Sequence, residues 1–309
     1  MTLPKTINDR KYQSFVEVGT DVAVRVSGTA NNLFGVLAKK IYYVNMSAPN
    51  IGIDTNSGAD WSNALLTIQA AIDKAVDKEG TIIYIRGSAT VAAGAGGIGI
   101  VVNKENIALI GAGGNGAECP SNGHCSITWL GGFGGGGLTA GNFAAINIAK
   151  SKVRLENMRI TVTSIDYPVC IQNVTNANSQ LYFNNLQLIV NGTSTGSAIR
   201  FTTASSYSTF RNLNLFGGTG ATGKMNQAVY GSSSYSRWDN IMIRETEGAA
   251  LVIDCFGSWF NNITVFPSCA TGLTISDATN IVSNSIVLAA GAKLPGHTAL
   301  NVNVKLAVD

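Results

Sequence analysis

From residue 153 to residue 302 the hydrophobic and polar positions repeat as one unit, marked by Asn157, Asn185, Asn212, Asn240, Asn262 and Asn284. Two residues before each asparagine stands an apolar side chain: Leu155, Phe183, Phe210, Trp238, Phe260 and Val282. One residue after come Met158, Leu186, Leu213, Ile241 and Ile263, with Ser285 in the last unit. Three after come Ile160, Leu188, Leu215, Ile243, Val265 and Val287. The units are about 28 and then about 22 residues long, within the range of solenoid coils. A second apolar pattern recurs upstream of the asparagines, led by Ala145, Ala198, Ala228, Ala250, Gly272 and Ala299.

Apolar residues at alternate positions give the strand period, not the helical one. Arg159, Gln187, Asn214 and Thr264 fall between them and are expected to point outward. A unit this short cannot bury its own apolar face, so it must stack on its neighbours. Asparagine tolerates the left-handed backbone of a sharp corner, and stacked amides can bond along a ladder. The aromatic residues two positions earlier are expected to form an internal stack. A β-sandwich with regular strand spacing is the alternative; in-register recurrence of one asparagine favours the solenoid.

Upstream of the repeat, Phe15-Val16-Glu17-Val18, residues 21–26 and residues 39–44 read as short strands. Residues 1–48 are therefore expected to form a small β-rich head, with residues 49–59, rich in Ser, Asn, Gly and Pro, as a linker. Trp61, Leu65, Ile68, Ile72 and Val76 recur at helical spacing, with Asp60 as expected N-cap and Gly80 as stop. Such a helix suits the open end of a first coil; a partner-binding helix is the other reading. Thr81-Ile82-Ile83-Tyr84-Ile85 follows as a strand. Gly111-Ala112-Gly113-Gly114-Asn115-Gly116 matches a dinucleotide fingerprint, but Glu118-Cys119-Pro120 opens a loop where a helix would have to receive the pyrophosphate. These glycines are read as turns, and no cofactor is expected.

With 13% charged residues and a net charge of +3, the chain has no basic run that argues for nucleic acid. Low charge and positive mean hydropathy imply that some outer surface is buried against other chains. Thr2-Leu3-Pro4-Lys5-Thr6 holds no apolar signal core, and no stretch is long and apolar enough to span a bilayer, so neither signal-led secretion nor membrane insertion is expected. Five cysteines argue against a disulfide framework.

The helical run ending in Ala70-Ala71-Ile72-Asp73-Lys74-Ala75, the strand after Gly80, and Ile107-Ala108-Leu109-Ile110-Gly111-Ala112-Gly113 resemble the entry into pectate-lyase-like right-handed parallel β-helices. That resemblance spans residues 54–309 and implies an all-β fold, a right-handed parallel β-helix with an N-terminal capping helix, over residues 60–309. The superfamily includes lyases, glycoside hydrolases and non-enzymatic viral spikes. Residues 7–16 with Val22-Ala23-Val24-Arg25-Val26 are similar to segments of bacteriophage tail proteins. Together the two resemblances imply a virion tailspike or tail fibre: a homotrimer whose residues 1–48 bind other tail or baseplate proteins and whose β-helix binds a bacterial surface glycan. A polysaccharide depolymerase and a purely structural virion protein are the alternatives.

Acid–base cleavage of a sugar polymer needs two carboxylates a few ångströms apart. Glu245 and Glu247, two residues apart after a strand, meet this condition, and Asp254 follows an equivalent strand with Asp277 one coil on; solvated acids on a solenoid surface are the other reading of each. Glu156 and Asp239 sit beside the aligned asparagines and are assigned to corners. No aspartate cluster resembles the calcium site of the lyases. Only His124 and His297 exist, so a serine triad is hard to build; Cys119, His124 and Cys125 lack a fourth ligand for zinc. No metal is expected. Cys170 and Cys255 are read as small core residues. Tyr207, Tyr235 and Trp259, with Phe266, lie near strand ends where sugars can stack or a neighbouring subunit can pack, whereas Trp238 and Phe260 belong to the internal stack by register.

Overall fold

The structure is a computed structural model that describes residues 16–18, 21–23, 38–46, 52–92, 99–112, 125–131, 144–164, 169–174, 180–192, 196–218, 224–254, 257–266, 268–269, 271–276, 282–288 and 301–306. Ten strands stack in register along one large sheet, from Lys40–Asn45 through Val153–Ser164, Tyr182–Gly192, Thr209–Gly217, Arg237–Arg244 and Trp259–Val265 to Asn301–Leu306. Every pairing between those strands is parallel. A second parallel sheet runs from Ile100–Val102 to Thr271–Ser276, one strand per coil. The chain passes from one sheet to the other and returns one rung on, which makes a right-handed parallel β-helix. Nine steps of about 4.8 Å give a body roughly 43 Å long.

The asparagine corner explains the bend in the large sheet. Asn157, Asn185, Asn212, Asn240 and Asn262 have φ between 52° and 55°. Leu155 and Met158 are both fully buried, although three positions apart, because the left-handed residue between them inverts the alternation. Each long strand thus turns a corner and presents two outer faces. Amide bonds join Asn185 to Asn157 at 2.9 Å, Asn240 to Asn212 at 2.8 Å and Asn262 to Asn240 at 3.0 Å. Asn212 donates instead to Asn184, so the ladder is interrupted between Asn185 and Asn212. At the last unit the register slips: Phe260 pairs with Ser283 rather than Val282, and Asn261 with Ser285.

Inside, Phe183, Phe210, Trp238 and Phe260 are fully buried and form the expected stack, with Phe210 and Trp238 centroids 3.9 Å apart. Cys170, as read, is a buried thiol, and Cys125 is another; Cys119, His124, Cys255, Asp277 and His297 lie outside the described residues.

The N-terminal elements differ from expectation. Val16–Val18 and Asp21–Ala23 pair antiparallel in a sheet of their own. Lys40–Asn45, which composition assigns to the head, is the first rung of the body and pairs in parallel with Thr81–Arg86. The described part of the presumed linker is packed: a Cβ at Gly52 would sit 2.0 Å from the Leu65 carbonyl oxygen. The helix is only Ile68–Lys74, capped by Thr67, whose hydroxyl accepts from the Ala70 N–H. Asp54 fixes that start by accepting from the N–H groups of Leu66 and Thr67. Trp61 and Leu65 precede the helix because Leu65 bonds to Tyr43 and Asn45 as a partial rung, while Asp60 caps a turn at Asn63. Val76 lies past the helix and is exposed. The helix packs beside Ile100–Val102, covering the open end of the second sheet.

Candidate functional site

A second left-handed corner precedes seven strands of the large sheet among the described residues. Gly80, Asn106, Lys152, Gln180, Tyr207, Tyr235 and Gly257 occupy it, with φ from 46° to 79°. Behind it runs a column of buried serines. Leu181 donates its N–H to Ser208 Oγ at 2.9 Å, Ser208 to Ser236 Oγ at 3.3 Å, and Ser236 to Ser258 Oγ at 3.1 Å. These bonds satisfy backbone donors that the bend leaves out of the ladder.

On this anchored edge the Tyr207 and Tyr235 rings stack, with centroids 5.3 Å apart and planes 9° from parallel. Gly257 occupies the next position, and a Cβ there would lie 2.8 Å from Tyr235 Cδ1, so the glycine makes room for the ring. Trp259 stands two residues beyond Gly257, beside Arg237 of the preceding coil. Tyr207, Tyr235 and Trp259 are 55%, 48% and 40% exposed, and the structure brings all three to one flank. Phe266 is half-buried on another face, under the guanidinium of Arg244.

The face between the two corners is charged. Asp239, nearly buried, pairs with Arg237 at 2.5 Å and Arg211 at 3.5 Å, and accepts from Asn261 at 3.1 Å. Arg154 and Glu156 form a buried ion pair, with the Arg154 guanidinium 4.7 Å from the Tyr182 ring centre. Burial pushes the Glu156 carboxyl above the usual glutamate range, against the opposing pull of Arg154. Both carboxylates are thus committed to arginines beside the asparagine corner.

The acid–base candidates separate into two places. Glu245 follows Arg237–Arg244 in a left-handed conformation, with its N–H bonded to Ser268 and its carboxylate 3.5 Å from Lys224 Nζ. Glu247 is exposed on the same turn, held by its N–H to the Met225 carbonyl. Asp254 ends the strand Ala249–Asp254 of the second sheet. That strand carries the chain about 20 Å between Glu247 and Asp254, well beyond the separation of about 5–9.5 Å over which two carboxylates share one glycosidic bond. Nearness in sequence within a coil is distance across the sheet. Among the described residues no three His, Cys, Asp or Glu side chains cluster as metal ligands would.

Past the asparagine corner lies a feature the sequence reading missed. Gln187, Asn214 and Met242 stand in register on the outer face, and with Asn185, Asn212 and Asn240 they line an open groove of about 270 Å³. The break in the amide ladder falls inside it. Asn214 Oδ1 is buried there without a hydrogen-bond partner. The outward positions of Gln187 and Asn214 were legible, but not the groove.

The strand register defines a right-handed parallel β-helix. No protein-family model and no curated protein matches the sequence. Among solved structures the chain is similar to pectate lyase Pel9A, at 13% identity over 89% of this chain and 78% of that one, with a TM-score of 0.39. It is also similar to ORF18 of Geobacillus virus E2, at 13% identity over 86% and 60% of the two chains, with a TM-score of 0.27. The pectin methylesterase of Aspergillus niger is similar at 14% identity over 86% and 88%, with a TM-score of 0.32. The fold assignment rests on the chain's own strand register.

Proposed function

We propose that this chain is a subunit of a bacteriophage tailspike or tail fibre whose β-helix binds bacterial surface polysaccharide. The observation that carries the reading is the exposed flank of Tyr207, Tyr235 and Trp259 on a backbone pinned by buried serines. Rigid, exposed aromatic side chains offer apolar surface to sugar rings at little cost in conformational entropy. The antiparallel pair near the N-terminus and its likeness to tail-protein segments support attachment through the part of residues 1–48 that precedes the first rung at Lys40. The subunits form a homotrimer, in which the sparsely charged outer surface is shared between chains.

The test is adsorption of fluorescently labelled protein to a panel of bacterial strains, with purified capsule or lipopolysaccharide of each strain as competitor. Adsorption is expected to be competed away by the polysaccharide and to fall in Tyr235→Ala and Trp259→Ala. Adsorption that ignores both the competitor and these changes overturns the reading. A solution mass of three 32.2 kDa chains is expected, and a stable monomer at high concentration removes the trimer. The second reading, a depolymerase, is favoured only by Glu245 and Glu247 sharing one surface turn, with Asp254 as a more distant candidate. It requires release of reducing ends that is lost in Glu245→Gln, Glu247→Gln or Asp254→Asn.

A further inference from the structure

The arginines on the two outer faces of the large sheet have different partners. Before the asparagine corner Arg154 pairs with Glu156, and Arg211 and Arg237 pair with Asp239. Past the corner, Arg159 and Arg244 point outward with no carboxylate in ion-pair reach among the described residues. The Nε of each is buried without a hydrogen-bond partner. Arg244 is held between Phe216 and Phe266, its guanidinium 5.4 Å and 4.0 Å from their ring centres, and it donates to Met242 Sδ at 3.3 Å. Stacking of this kind fixes the guanidinium plane without neutralising its charge.

The groove lies between these two cations. Arg159 is in register with Gln187, Asn214 and Met242, and Arg244 stands two residues past Met242. Three rungs and two residues put the arginines roughly 16 Å apart along the face. No charged side chain lines the groove, which offers amide donors and acceptors.

We propose that this face is a binding track for an anionic polysaccharide whose carboxylates are separated by neutral sugars. Arg159 and Arg244 each take one carboxylate, and the amide groove takes the hydroxyl-rich sugars between them. A guanidinium recognises a carboxylate through paired N–H donors, which suits widely spaced charges. A polymer charged on every sugar sets carboxylates over the groove, where no cation faces them. The proposal rests on the glycan-binding reading and narrows its substrate class.

Native affinity electrophoresis of the full chain tests it. The gels contain gellan, whose carboxylates are separated by neutral sugars; carboxyl-reduced gellan; polygalacturonate, charged on every sugar; or neutral dextran. Gellan is expected to retard the protein more than polygalacturonate does, and the reduced polymer far less. Arg159→Gln and Arg244→Gln each weaken gellan binding about tenfold, the size of one lost charge-assisted contact. Lys74→Gln, an equal loss of charge on the capping helix, leaves binding unchanged. Circular dichroism confirms that the variants fold. The track is overturned by equal retardation on reduced gellan, by an equal loss in Lys74→Gln, or by no retardation on any carboxylated polymer. Retardation on the reduced polymer that is lost in Tyr235→Ala removes the anionic track but leaves glycan binding standing.

Discussion

The side-chain amide of Gln69 bonds to both backbone groups of one residue: Oε1 accepts from the Val101 N–H at 2.8 Å, and Nε2 donates to the Val101 carbonyl at 3.3 Å. Val101 lies on the first strand of the second sheet, whose outer edge has no further strand to pair with among the described residues. One glutamine on a seven-residue helix thus stands in for a rung. An uncovered edge of this kind invites pairing with other chains.

Gln69→Leu is therefore expected to cost about 1–3 kcal/mol, the penalty for leaving partly buried backbone groups unpaired. Hydrogen exchange at Val101 should quicken, and aggregation should become concentration-dependent. Unchanged exchange would mean that helix packing alone covers the edge.

The asparagine corners make a graded prediction. Asn240→Ala keeps the left-handed backbone at a cost of about 1–2 kcal/mol. It also loses the bonds to Asn212 and from Asn262. Asn240→Gly loses only the bonds, so denaturation midpoints should rank wild type above glycine above alanine.

How much of this was visible beforehand depended on whether a position repeats. Asn157 to Asn262 could be read because one residue type answers one backbone demand in each coil, and the aromatic stack followed from its register. The other corner went unread because Gly80, Asn106, Lys152, Gln180, Tyr207, Tyr235 and Gly257 answer the same demand with different residues. Trp61 and Leu65 fit a helical period by coincidence, and only the bonds of Leu65 to Tyr43 and Asn45 give them away. Tyr207, Tyr235 and Trp259 were found as a group because they lie beside repeat positions. The gap between Glu247 and Asp254, the ladder break at Asn212 and the groove depend on where coils run in space, which spacing does not encode.

In the interior, Trp238→Ala should cost about 3–5 kcal/mol, the range for removing a fully buried aromatic side chain. Trp238→Phe should cost less, because the stack between Phe210 and Phe260 is kept. Denaturant titration separates the two, and equal losses would contradict stacking at this position.

Glu156 sets a pH dependence. Its carboxyl titrates higher in the folded chain than in the unfolded one, chiefly through burial, so the folded state holds the proton more tightly. The resulting stability is complete below the ordinary glutamate value of 4.5 and is lost as pH rises through the raised folded value. Glu156→Gln should flatten that part of the profile while lowering stability overall, because Arg154 stays buried without its partner. A wild-type profile that climbs across this window relative to the variant would reverse the assignment.

The central claim, that the Tyr207, Tyr235 and Trp259 flank is a polysaccharide-binding surface, is tested most directly by oxidative footprinting. The measurement compares oxidation of these three side chains with and without saturating surface polysaccharide from a strain the protein adsorbs to. Protection of all three, with Tyr230 on the other sheet unchanged as an exposed reference, is the predicted result. Full oxidation of the three in the presence of bound polysaccharide would contradict the account.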